Sequence, residues 1–256
     1  MRSPIERFPN RASMRATSHW AAGVDGCRGG WFVVLCAIGQ TAERPLQVSS
    51  RLYADFGAVL TLPERPIAIA VDMPIGLLDR PLPGGRACDR AARALLGRPR
   101  SSSVFTPPTR PGVAAASYAE VPAVNGAGMS KESFNILPRI RELDAALSPG
   151  DQQRVFEAHP ELAFARLNGA PLAHSKKTAE GRRERVRLLR GVYAASFQDP
   201  VRMRLAHGLR HLVLDDILDA YVLAHTAHCV VTGTAQRVPE AEPPCDARGL
   251  RMEIWY

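Results

Sequence analysis

Cysteine is scarce: five residues, Cys27, Cys36, Cys88, Cys229 and Cys245, are scattered over 256 positions. No two form a C-x-x-C pair and their number is odd, which argues against a zinc cluster or a disulfide framework and for a reducing cytoplasm. Long apolar runs are missing too. None approaches the ~20 residues of a bilayer-spanning helix, so no membrane partner is expected. Aromatics make up only 6% of the chain, and Phe105 and Tyr118 stand isolated near the basic clusters, so a base-stacking platform and sequence readout are not expected. The first twenty residues carry four arginines but lack the apolar segment of a secretory signal, and residues 1–18 read as a disordered basic extension.

Acids are the minority charge, 25 against 33 basic residues, for a net charge of +8. The excess is concentrated: residues 86–110 hold six arginines and one acid, and residues 176–190 hold seven basic residues and two acids. Such clusters suit a polyanionic partner, nucleic acid first among them, although a genome of high GC content would also raise the total of arginines. Hydrophobic content of 46% and charged content of 23% are those of a globular protein. The length suits a single domain over residues 19–256 with a large insertion.

WAAGVD and WFVVLCAI, flanking a glycine-rich turn, read as two strands, and LQVSSRLYAD as a third in an antiparallel meander. PIAIAVDMPIGL holds a fourth, buried strand ending at Asp72. Loop signals then dominate residues 73–150, with helical stretches near 86–96 and 132–147, an insertion too large for a plain connector. QQRVFEAH returns to a fifth strand. Helices follow at HPELAFARLNG, TAEGRRERVRLLRGVYAA and residues 215–230. The order implies an α/β fold: a mixed five-stranded sheet, three strands antiparallel and two parallel, flanked by helices.

Although few, the acids are crowded. Asp25, Asp72 and Glu157 fall at three strand ends, where ligands bind in open α/β sheets. If the first and fourth strands are parallel neighbours, Asp25 and Asp72 emerge side by side. Asp215, Asp216 and Asp219 open an otherwise apolar helix, and Asp216 and Asp219, three apart, share a face that could close the group. Buried like charges need protons or divalent cations, with Mg²⁺ the usual oxygen-bound ion. Plainer explanations compete: Asp25–Gly26 as a turn, Asp72 binding local amides, Glu157 pairing with an arginine, Asp215 as a cap and Asp216 facing the helix dipole. Asp219 lies beyond the first turn, where capping no longer applies. His159 reads as a turn or packing residue.

The motifs GVDGCRGGW, AVDMPIGL, R-x-C-D-x-x-A-R at 86–93, SVFTPP, SKESFNILPRIRELD, FEAHPELAF, K-T-x-x-G-x-x-x-R at 177–185, DDILDA and MEIW, in that order, resemble the domain-of-unknown-function 429 family. Its members are described as predicted nucleases of ribonuclease-H-like fold. The resemblance implies a ribonuclease-H-like sheet with an acidic metal site. By analogy with bacterial Holliday-junction resolvases of that superfamily, Asp25, Asp72, Asp216 and Asp219 would hold Mg²⁺ or Mn²⁺. Glu157 has no counterpart there and would serve as a fifth ligand or orient a water. Two-metal sites of this kind activate water and stabilise the leaving oxygen in phosphodiester cleavage. Arg28, Arg86, Arg90, Arg93, Lys131, Lys177 and Arg183, within the motifs and clusters, are the expected substrate contacts.

Two other functions stay open. A relative of the actin and sugar-kinase fold would use VDGCRGG to cradle phosphate, although such enzymes place nucleotide between two domains. A non-catalytic binding module would use the acids in structural ion pairs. Serine-nucleophile chemistry at SSSVF lacks the strand–turn–helix context it needs.

Overall fold

The computed structural model describes residues 19–38 and 47–256; the expected basic extension, residues 1–18, lies outside them. The meander comprises β1 (His19–Cys27), β2 (Gly30–Ile38) and β3 (Val48–Tyr53). After α1 (Phe56–Leu60) and β4 (Ala68–Val71), the insertion contributes α2 (Ala87–Leu96), α3 (Val121–Asn125), α4 (Lys131–Asn135) and α5 (Leu137–Ala146). Then come β5 (Val155–Glu157), α6 (Pro160–Asn168), α7 (Ala179–Tyr193), α8 (Pro200–His207) and α9 (Leu214–Thr232). A two-stranded ribbon, β6 (Arg237–Val238) and β7 (Ile254–Trp255), ends the chain.

The five strands form one mixed sheet in the order β3-β2-β1-β4-β5, as the α/β reading expected. β1, β2 and β3 pair antiparallel, whereas β1 with β4 and β4 with β5 are parallel. The fifth strand is shorter than the run QQRVFEAH suggested, because His159 already caps α6, whose first residue is Pro160. The ribbon, unanticipated from sequence, covers the free edge of the sheet through a bridge between Ala158 and Trp255.

Strand alternation sends residues to two separate cores. Ala21, Phe32, Val34, Ala70 and Phe156 pack beneath α9 and its neighbours, while Val24, Val33, Ile69, Val71 and Val155 pack on the opposite face, against α1 and α5. The last helix of the insertion is therefore a layer of the domain and no mere appendage. Ile140 and Leu143 of α5 are fully buried, and Glu142 accepts hydrogen bonds from Trp31 Nε1 (2.8 Å) and the Phe56 N–H (2.6 Å).

Gly23 sets the distance between the sheet and α9. A Cβ there would lie 2.1 Å from the Ala220 carbonyl oxygen and 2.1 Å from the Ala224 nitrogen, so the helix backbone rests directly on the strand. Asp25 is two residues further along the same face, and Asp219 adjoins Ala220. The contact that packs the helix thus also brings the two acids together. Among the described residues no helix is long and apolar enough to cross a membrane.

Candidate metal centre

The parallel pairing of β1 with β4 aligns Val24 with Val71, and the Asp72 N–H donates to the Val24 carbonyl (3.0 Å). Asp25 and Asp72 therefore leave the sheet side by side, and Asp219 meets them from α9. One carboxylate oxygen from each lies within 4.8 Å of the other two. Asp25 is 8% exposed and Asp219 2%. Burial, followed by the charges of Asp72, Asp219 and Asp216, raises the Asp25 carboxyl well above the ordinary range. Burial and then Asp219 push Asp72 up to about 7. Such a trio could hold a metal ion. Asp219 Oδ1 fits that role, being buried without a hydrogen-bond partner among the described residues.

Part of the compensating charge is an amine, which the sequence analysis did not anticipate. Lys176 Nζ donates to Asp219 Oδ2 at 2.7 Å, and this carboxylate, followed by Asp72 and Asp25, raises the lysine pKa despite partial burial. Sequence reasoning selected Lys177 from the K-T-x-x-G-x-x-x-R run, one position away. That run builds the loop presenting Lys176: Thr178 Oγ1 accepts the Gly181 N–H (3.1 Å) and donates to the Ser175 carbonyl (2.9 Å). Gly181 is needed because a Cβ would come within 2.0 Å of the Ser175 oxygen. Arg185, fully buried, donates to the carbonyls of His174 and Gly181 and pairs with Glu161.

Glu157 does not join the trio. It pairs in register with Val71, one residue short of Asp72, so strand alternation sends it to the opposite face of the sheet. There Arg86 grips it with two hydrogen bonds, Nη1 to Oε2 (2.7 Å) and Nη2 to Oε1 (2.5 Å), and the Ile75 N–H donates to Oε2 (2.6 Å). Glu157, expected as fifth ligand or water-orienting group, is instead engaged in a buried ion pair with Arg86, completed by Asp89, and Arg86, expected as a substrate contact, spends its guanidinium there although it also lines the cavity onto which Asp25 and Asp72 open. Asp216 is also diverted: its Oδ2 accepts the Val213 N–H (2.9 Å) at the start of α9, although it stands close enough to raise Asp25. Burial lifts Asp216 itself to about 6.

Asp25, Asp72 and Lys176 open onto a cavity of about 1290 Å³, walled largely by the insertion through residues such as Leu82, Ser103, Phe105, Thr106, Asn125 and Met129. Lys177 also lines it, as does His159, whose pKa burial lowers. Most arginines of the 86–110 cluster are spent on the protein itself. Arg90 donates to the Gly85 carbonyl, Arg93 to those of Gly84 and Val104 and to Thr106 Oγ1, Arg100 to those of Leu172 and Ala173, and Arg110 pairs with Asp144 and Asp246. Of the expected contacts, Arg90 is thus a staple of the insertion, and Arg93, also a staple, reaches the cavity wall. Arg28, Lys131 and Arg183 are exposed and lie outside that wall.

The glycine-rich turn offers little to a phosphate. Cys27 pairs with Gly30 to close a two-residue hairpin, and the Gly29 N–H donates to the His211 carbonyl (3.1 Å).

A family model described as a protein of unknown function (DUF429) matches residues 23–243. No curated protein matches the chain.

Proposed function

The chain belongs to the DUF429 family, and from that premise and the carboxylate geometry we propose that it is a metal-dependent phosphodiester hydrolase of ribonuclease-H-like ancestry. One observation carries the reading: Asp25, Asp72 and Asp219, remote in sequence, converge at the strand ends, and buried Asp219 Oδ1 is left without a partner among the described residues. The three would hold Mg²⁺ or Mn²⁺. Bound there, such an ion lowers the pKa of water and neutralises charge on the leaving oxygen. Asp216 adds negative potential without leaving its capping bond.

Lys176 would exchange partners. Its side chain is 39% exposed while that of Asp219 is 2% exposed, so the amine can swing into the cavity and hold a non-bridging phosphate oxygen once a metal takes over Asp219. Lys177, on the same wall, would hold an adjacent phosphate. Because most arginines of the first cluster are engaged internally, that cluster has little left to grip a long duplex. A flexible single strand threaded into the cavity is the substrate that best fits. The enclosing insertion favours a second reading, a small phosphodiester as substrate.

The test incubates the purified protein with Mg²⁺ or Mn²⁺ and with single-stranded DNA and RNA, branched DNA, nucleotides and a chromogenic phosphodiester, alongside Asp25→Asn and Asp219→Asn. Metal-dependent cleavage that both variants abolish supports the reading, and the cleaved substrate decides between strand and small molecule. A wild-type protein that neither cleaves any of these nor gains thermal stability from the metals would refute it.

A further inference from the structure

At the other end of α9 lies a second group of ligand-type side chains. His225, His228 and Cys229 follow an i, i+3, i+4 pattern, which places them on one face of the helix. A nitrogen from each imidazole and the thiol sulfur all lie within 4.8 Å of one another. The rings stack with centroids 6.1 Å apart and planes inclined by 18°. His228 is 2% exposed, yet neither of its ring nitrogens has a hydrogen-bond partner among the described residues, and His225 Nδ1 is likewise buried and unpartnered. Buried imidazoles ordinarily find partners, and the His228 ring, with both nitrogens bare among the described residues and one of them beside the Cys229 thiol and His225, presents an unmet demand that a Lewis acid would fill.

We propose that His225, His228 and Cys229 form a binding site for a borderline or soft transition-metal ion, zinc(II) being the representative, separate from the carboxylate centre. Cys229 Sγ and His225 Nε2 stand 3.5 Å apart. Bonds of ~2.3 Å to sulfur and ~2.0–2.1 Å to nitrogen at a tetrahedral angle put the two ligand atoms roughly 3.5 Å apart. His225 is only partly buried, so three protein ligands leave a fourth position for water or another small donor. The nine-residue step from Asp219 to His228 separates the two centres by roughly 13 Å along the helix at ~1.5 Å per residue. Their ligand sets differ in kind, oxygen at one end and nitrogen with sulfur at the other, and so do their preferred ions. Cysteine spacing concealed this site because two of its three ligands are histidines.

Cobalt(II) titration into the chelator-treated full chain, followed by absorption, is the test. The expected result is a thiolate-to-cobalt charge-transfer band that saturates at one equivalent and is displaced by zinc. It should persist in Asp219→Asn, which disables only the carboxylate centre, and vanish in Cys229→Ser. His225→Gln, at the partly exposed ligand, should weaken binding at least tenfold while leaving the circular dichroism unchanged; this guards against a Cys229 variant that fails to fold. Absence of the band from the wild type, its survival in Cys229→Ser, or unaltered affinity in His225→Gln would overturn the proposal. Because carboxylates give no thiolate band, failure here leaves the hydrolase reading untouched, and failure of that reading leaves this site untouched.

Discussion

Asp219 is where the electrostatics of the carboxylate centre are decided. One of its oxygens is tied to Lys176 and the other has no partner among the described residues, so amine and metal ion compete for the same carboxylate. Lys176→Met removes both the competitor and a repelling positive charge. The Mg²⁺ concentration needed for half-maximal thermal stabilisation should fall several-fold, while any phosphodiester turnover should drop. An unchanged or higher midpoint would show that the lysine does not compete. Glu157 calls for a different experiment. Since Arg86 and Glu157 are a buried pair on the far face of the sheet, Arg86→Met should destabilise the fold by about 3–5 kcal/mol, because an unpaired buried charge remains. Glu157→Gln, in whatever protein stays folded, should keep the response to Mg²⁺ in calorimetry, which a metal-ligating Glu157 would not allow.

At the scale of elements, the centre exists because α9 lies against β1 without intervening side chains. The β1 side of that contact is Gly23, and the atoms a Cβ would strike are helix backbone, which cannot rotate away. Gly23→Ala should lift the helix, separate Asp219 from Asp25 and cost about 3 kcal/mol or more, beyond ordinary overpacking. Chemical denaturation would measure the cost, and the Mg²⁺-dependent stabilisation should be lost with it. Preserved metal response in that variant would mean that the approach of the helix does not set the site. The loop holding Lys176 is organised on the same principle: Gly181 admits the Ser175 carbonyl, and Arg185 ties the loop to α7 and Glu161.

For the whole molecule, crowding of acids predicts how stability depends on pH. The carboxyl of Asp72 rises from an ordinary 3.8 to about 7, so in the metal-free protein the folded state holds its proton more tightly than the unfolded state. That contribution is fully present below the unfolded pKa and is lost as pH rises through the folded one. The melting temperature of the metal-free wild type should therefore fall relative to Asp72→Asn between 3.8 and about 7, and Mg²⁺ should close the gap chiefly at the upper end. The neighbouring Asp25 carboxyl is raised as well, by burial and then by Asp72, so the curve will be broader than that of a single group. A difference that stays constant with pH would mean that Asp72 ionises as it does in the unfolded chain.

The order of the five strands of the main sheet, and the placing of Asp25 and Asp72 at strand ends, were determined by the sequence, because alternating and continuous apolar runs mark strands and an acid at the end of each is a local feature; that the two emerge side by side needed the parallel pairing of β1 with β4. The anomaly of Asp219, an acid beyond the reach of capping in an apolar helix, was legible for the same reason. Only the tertiary structure decided the rest. Whether Glu157 faces the site depends on the parity of a register between two strands, and whether Lys176 or Lys177 reaches Asp219 depends on how a loop is pinned. The arginines at 86–110 look like a nucleic-acid grip in one dimension, but most meet carbonyls and carboxylates of their own chain, since a charge pattern does not encode its nearest acceptor.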